Sequence, residues 1–312
     1  LPLIKNAWLK IKDNRILDFG NMDNWEGIDN WNEFNIIDAE SGTILPSWCD
    51  SHSHIVYAGS REQEFVDKIN GLSYEEIAKK GGGILNSSLM LKETSEEDLY
   101  NQSMKRIDEV INGGTGAIEI KSGYGLDTEQ EIKMLRVIKK IKETSPITVK
   151  STFLGAHAIP KNYKANPDQY VEKIINEMIP VIAKEKLADY IDVFCDKGFF
   201  TAEQTEKILQ AGLNHGLKGK IHANELDFSG GIQVGVKMGA ISVDHLEFTS
   251  SEEIKCLKGS KTIPTLLPST AFFLGLVYPP ARKMIDSGLP ITLASDYNPG
   301  SSPSGNIEFI MS

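Results

Sequence analysis

Cysteine is scarce in this 312-residue chain: three residues, Cys49, Cys195 and Cys256, too few and too scattered for a disulfide framework or a metal finger. They read as reduced thiols of a cytoplasmic protein. There is no uninterrupted apolar run of about 18 residues and no basic-then-apolar leader, so neither a membrane span nor a signal peptide is expected. Positive charge is in deficit. With 33 Lys and Arg against 43 Asp and Glu the net charge is −10, which argues against a general nucleic-acid or anionic-membrane surface. An anionic small molecule would need a local cation. No G-x-G-x-x-G follows the first long apolar run, and solenoid repeats and low-complexity tracts are absent. Histidine is also sparse, six in all, yet two stand one residue apart in "CDSHSHIVYAGSREQEF", residues 49–65.

What is present is a rhythm. Residues 1–43 read as a small β-rich domain, with "AWLKIKDNRILDFG" as strand, polar turn and strand, and "FNIIDAE" as a further short strand. From residue 44 to 312 short apolar runs alternate with amphipathic segments. The runs are "TILPSWCDSHSH", "GAIEIKSGYG", "ITVKSTFLGAH", "YIDVFCDKGFF", "GKIHANEL", "AISVDHLEF", "TIPTLLPST" and "PITLASDYNPG". Between them Leu99, Ile107, Val110 and Ile111 share one helical face, as do Val171, Ile174, Ile175, Met178 and Ile182. Capping boxes are expected at Thr94/Glu97, Thr128/Glu131, Thr201/Gln204 and Ser250/Glu253. Eight strand–helix units predict an α/β fold, a TIM-type (β/α)8 barrel with a small N-terminal β layer, whose site lies at the strands' C-terminal ends. An open doubly wound sheet is the alternative.

Five of the six histidines fall at those ends: His52 and His54 after the first run, His157 after the third, His222 after the fifth and His245 after the sixth. Asp296 ends the eighth. Histidines one residue apart point to one side of a strand, and neutral imidazole ligates zinc and related ions. His52, His54, His222 and Asp296 therefore make a metal site with one position open for water, the mark of a catalytic metal. Such an ion lowers the pKa of water and polarises a carbonyl. Asp296 could take up the proton and pass it to a departing nitrogen if one of its oxygens stays free, with His245 orienting the nucleophile or stabilising the oxyanion. Taken singly, His157 or His245 reads equally as a core histidine, Glu225 as a helix cap, Arg61 as a solvated loop charge, and Tyr74 or Tyr124 as a packing aromatic.

The histidine pair, the two later histidines and "ASDYNPG" resemble the amidohydrolase superfamily. "GLSYEEIAKKGGGILNS", "EIKSGYGL", "TFLGAHAIP", "IHANEL", "VDHLEF" and "ASDYNPGSSP" narrow the resemblance, from about residue 40 to 310, to the imidazolonepropionase family. The resemblance implies hydrolysis of 4-imidazolone-5-propanoate to N-formimidoyl-L-glutamate in histidine breakdown. It implies one Zn2+ or Fe2+/Fe3+ per subunit, held by His52, His54, His222 and Asp296, and a homodimer. Arg61 would pair with the substrate carboxylate, a task suited to a guanidinium, with Tyr124 and Tyr74 adding hydroxyls. His157 and Glu225 would meet the ring and His245 the attacking water. Asn298, Gly300 and Ser301 would line the last strand's side of the pocket.

Two departures stand out. The chain reaches Ser312 soon after the eighth run, so the barrel is expected to lack its last helix, and a start at Leu1 suggests a clipped sequence. Trp48 and Cys49 precede the histidine pair without a functional account. Two other readings remain: a purine or pyrimidine base deaminase of the same superfamily, which would have no use for Arg61, and a non-catalytic barrel kept folded by its metal.

Overall fold

The computed structural model describes residues 3–72 and 82–312. The chain divides into two compact units, Leu1–Pro46 and Ser47–Ser312. In the first, β1 (Ala7–Lys12) and β2 (Arg15–Asn21) pair antiparallel around a turn in which Asp13 and Asn14 both have positive φ. The third strand expected at "FNIIDAE" does not form; residues 34–40 run without regular structure, and Ile36 and Ile37 are exposed. An apolar run makes a strand only where a neighbour completes its ladder.

The second unit is built on eight parallel strands: β3 (Trp48–Ser53), β4 (Thr115–Lys121), β5 (Thr148–Ala156), β6 (Tyr190–Cys195), β7 (Lys218–Ala223), β8 (Ser242–His245), β9 (Ile263–Leu266) and β10 (Thr292–Leu293). Each matches one of the eight expected runs, β4 and β7 starting one residue ahead of theirs. They lie in sequence order across one sheet, and the sheet all but closes on itself as a TIM-type barrel. The seam joins the segment after β10 to β3. The Asp296 amide donates to the His52 carbonyl and the His54 amide to the Tyr297 carbonyl, both at 2.9 Å. Two residues assigned to the metal are thus locked side by side by the backbone that closes the barrel.

Helices cover the sheet because their apolar stripes are in register with it. On Glu96–Asn112, Leu99, Ile107 and Val110 are buried, and on Thr128–Thr144 Met134, Leu135, Val137, Ile138 and Ile141 are. Val171, Ile174, Met178 and Ile182 also reach the core, across a π-helical turn at Ile174–Met178 just before Pro180. The boxes at Thr201/Gln204 and Ser250/Glu253 form. The other two starts shift by one residue: Ser95 caps Glu96–Asn112 and Asp127 caps Thr128–Thr144, each accepting from the amide three residues on. A neighbouring strong cap residue takes the position in both cases. Among the described residues no helix is long and apolar enough to cross a membrane.

Candidate metal centre and active site

The barrel's C-terminal mouth gathers His52, His54, His222, His245 and Asp296, all buried. His54 Nε2 lies 3.3 Å from each of His52 Nε2, His222 Nε2 and Asp296 Oδ1, and His52 Nε2 lies 3.5 Å from that same oxygen. A tetrahedral ion with bonds of about 2.0–2.1 Å requires its ligand atoms to stand about 3.3–3.4 Å apart. The four spacings suit such an ion, and the cluster could hold a metal. His245 adds a second grouping, its ring nitrogen lying close to His52 and Asp296.

Carboxylates fix the direction of two of these rings. His52 Nδ1 is 2.6 Å from Asp244 Oδ2, and His222 Nδ1 is 3.1 Å from Asp192 Oδ1. A proton held on Nδ1 leaves the Nε2 lone pair aimed into the site. Burial holds His54 and His222 below the usual histidine range, hence neutral and fit to ligate. Burial would raise Asp192 and Asp244, but it is outweighed by His222 and Lys121 at the first and by Lys220 and His52 at the second, so both stay ionised. Lys121 Nζ sits 2.8 Å from Asp192 and 2.9 Å from Glu119, and Lys220 Nζ 3.3 Å from Asp244.

The second oxygen of Asp296 is not free. Thr270 donates to Oδ2 at 2.6 Å. Sequence reading had no means of finding this threonine, which comes from the segment after β9. Asp296, His245 and Leu246 have φ of +51°, +82° and +71°, a region that costs a non-glycine residue about 1–3 kcal/mol and clusters at working sites.

His245 stands between two carboxylates, Nε2 3.7 Å from Glu225 and Nδ1 3.9 Å from Glu247. Burial disfavours its charge, yet Glu225 and Glu247 outweigh burial and raise it to about 10. His157 stacks on His54 with ring centroids 5.1 Å apart, and its Nδ1 donates to the Gly123 carbonyl at 3.0 Å. Burial pushes it down to about 3, so its Nε2 is an acceptor near neutral pH. Tyr124 is buried beside both rings. Tyr74 lies outside the described residues.

Arg61 passes directly over Gly300, and its Nε lies 3.3 Å from Glu64. Glu64 in turn accepts from the Gly83 amide and Asn86, tying Gly83 to the arginine. Arg106 donates to the carbonyls of Ile55 and Tyr57 and lies 3.4 Å from the Tyr57 ring centroid, fixing the segment between the histidine pair and Arg61. The Asn298 amide is spent within its own loop, donating to the Asp296 carbonyl and Ser301 Oγ and accepting from the amides of Gly300 and Ser301.

No family model matches the chain. It is 59% identical over 311 residues to imidazolonepropionase of Flavobacterium johnsoniae, covering all of this chain and 75% of that protein. With the enzyme of the same name from Caldanaerobacter subterraneus it shares 44% over 309 residues, 99% of this chain and 73% of that one. Among solved structures, 5-methylcytosine deaminase from Klebsiella pneumoniae with phosphonocytosine aligns with a TM-score of 0.72 at 17% identity over 97% of this chain and 76% of that one. Guanine deaminase from C. acetobutylicum aligns at 0.63 and 17% over 99% and 73%. The last two likenesses show the fold alone.

Proposed function

The chain belongs to the imidazolonepropionase family, and on this basis we propose that His52, His54, His222 and Asp296 hold one divalent cation at which Arg61 presents the substrate. The reaction is the hydrolysis of 4-imidazolone-5-propanoate to N-formimidoyl-L-glutamate in histidine degradation. The observation that carries the site is that His54 Nε2 stands 3.3 Å from each of His52 Nε2, His222 Nε2 and Asp296 Oδ1. Zn2+ and Fe2+ both suit three imidazoles and a carboxylate.

The cation, when bound, supplies a Lewis acid that acidifies water and polarises a carbonyl. Arg61, set beside Gly300 and Glu64, anchors the propionate tail bidentately, and this remote contact orients the ring. Tyr124 adds a hydroxyl on the same side, and Tyr74 would add another. The His157 Nε2 lone pair and the Glu225 carboxylate receive ring N–H groups. His245, charged between Glu225 and Glu247, orients the attacking water. Asp296 accepts the water's proton and delivers it to the departing ring nitrogen, while Thr270 holds its second oxygen in place. Asn298 shapes the loop that presents Gly300 and Ser301.

The enzyme works in the cytoplasm, where its three unpaired thiols stay reduced. It acts as a homodimer on a small-molecule substrate, with neither nucleic acid nor membrane as partner. Ring opening followed by ultraviolet absorbance tests the reading. Turnover should vanish with a chelator and return with Zn2+ or Fe2+; turnover that persists in metal-free protein would contradict it.

A further inference from the structure

Lys121, the lysine of "EIKSGYGL", is given no part in the reaction proposed above, yet it is among the largest fully buried side chains of the described residues. It ends β4 and points into the barrel, where Asp192 of β6 and Asp244 of β8 also project. These are alternate strands, whose inward residues share one layer of a barrel interior, a layer usually filled by branched apolar side chains. Here it is filled by charge. Lys121 Nζ lies 2.8 Å from Asp192 Oδ2, 2.9 Å from Glu119 Oε1 and 3.9 Å from Asp244 Oδ2. Asp192 bonds His222, and Asp244 bonds His52.

We propose that Lys121 is a positioning residue that preassembles the metal centre, one ammonium group tying together the two aspartates that orient His222 and His52. The brace rests on the reading of those histidines as ligands. Lys220 does not duplicate it. That side chain grips Asp244 at 3.3 Å and the Ser51 carbonyl at 3.0 Å, and so secures only the His52 arm. The Asp192 arm, and the spacing between the arms, fall to Lys121. An ion pair buried this deeply is weak evidence for stability, because two apolar residues would serve as well. Its value lies in geometry: Nδ1–H of each ring must face a fixed, ionised oxygen for both Nε2 lone pairs to converge.

The test uses the full chain stripped of metal. Its dissociation constant for Zn2+ is measured by competition with a chromophoric chelator, and the visible spectrum of the Co2+ form reports ligand geometry. Lys121→Met should weaken Zn2+ binding by about 10–100-fold, the range found when partners of metal-ligating histidines are removed, and should alter the Co2+ spectrum. Lys121→Met leaves an extra negative charge buried and is at risk of misfolding, so Lys121→Met/Glu119→Gln is measured beside it. This pair removes the brace and one carboxylate together while keeping Asp192 and Asp244. It should fold with the circular dichroism of the parent and show the same loss. If the wild-type chain bound no Zn2+, the metal centre itself would fall. If the wild type bound tightly and either folded variant matched its affinity and Co2+ spectrum, the brace alone would fall.

Discussion

The Arg61 guanidinium rests on the α-carbon of Gly300: a β-carbon added at Gly300 would overlap Arg61 Nη2 and Cζ. No flexing of a methyl group relieves such an overlap, so Gly300→Ala must push the guanidinium aside. A charge-assisted contact is worth about 1.5–3 kcal/mol, or about 10–100-fold in affinity. Gly300→Ala and Arg61→Ala should both raise KM for 4-imidazolone-5-propanoate by that order, with a smaller change in kcat. An unchanged KM in steady-state assays of Arg61→Ala would reject the carboxylate clamp. It would also reopen the case for a neutral base as substrate.

Glu131 was expected to complete a capping box and instead shapes the loop that carries Tyr124. Its carboxylate is fully buried and accepts from the amides of Gly123, Gly125 and Leu126. Glu131→Gln keeps the shape but turns an N–H2 group toward the Gly123 amide, or toward those of Gly125 and Leu126. The loss should be about 1–3 kcal/mol of stability, the cost of unsatisfied buried amides. Chemical denaturation checks the loss, and weaker substrate binding through Tyr124 should accompany it.

Glu225 supplies a pH dependence. Burial, reinforced by Glu247, Asp296 and Asp196 and opposed by His245, raises its carboxyl to about 7 from the ordinary 4.5. Between those values the folded metal-free protein keeps a proton that the unfolded chain has released. Stability therefore falls as pH rises from 4.5 toward 7. Relative to Glu225→Gln, wild type should lose stability across that window in urea titrations at stepped pH. Parallel curves for the two proteins would show that Glu225 titrates normally.

Thr270→Val removes one hydroxyl from Asp296 at nearly constant volume. A hydrogen bond to a charged group contributes about 1.5–3 kcal/mol, so kcat should fall about 10–100-fold if the bond aligns the carboxylate for proton transfer. KM should move little, and the bound-metal content, read by atomic absorption, should stay near that of the parent.

The strands and the histidine rim were legible because both follow rules of local order. Apolar runs at regular spacing fix eight parallel strands, and residues at strand ends in such a barrel face one mouth. The supports behind the site were less legible. Glu119, Lys121, Asp192, Lys220 and Asp244 lie inside strands, where charge is rare unless paired. Apart from the Glu119–Lys121 pair on one strand, their partners come from strands 24 to 192 residues away. A signal did exist: "AIEIK", "YIDVF", "GKIH" and "SVDH" place charge within runs otherwise buried on both faces, so those charges had to meet one another inside the barrel. Thr270 had no such mark, since a threonine after a strand has many ordinary uses. The shift of two helix caps by one residue and the missing strand at residues 34–40 came from local competition and from the want of a pairing partner.

The decisive measurement is an anomalous-scattering map of crystals of the zinc-loaded protein, collected on both sides of the zinc absorption edge. One peak is predicted per chain, about 2.0–2.2 Å from Nε2 of His52, His54 and His222 and from Oδ1 of Asp296. A peak elsewhere, or one that leaves out His222 or Asp296, would contradict the account.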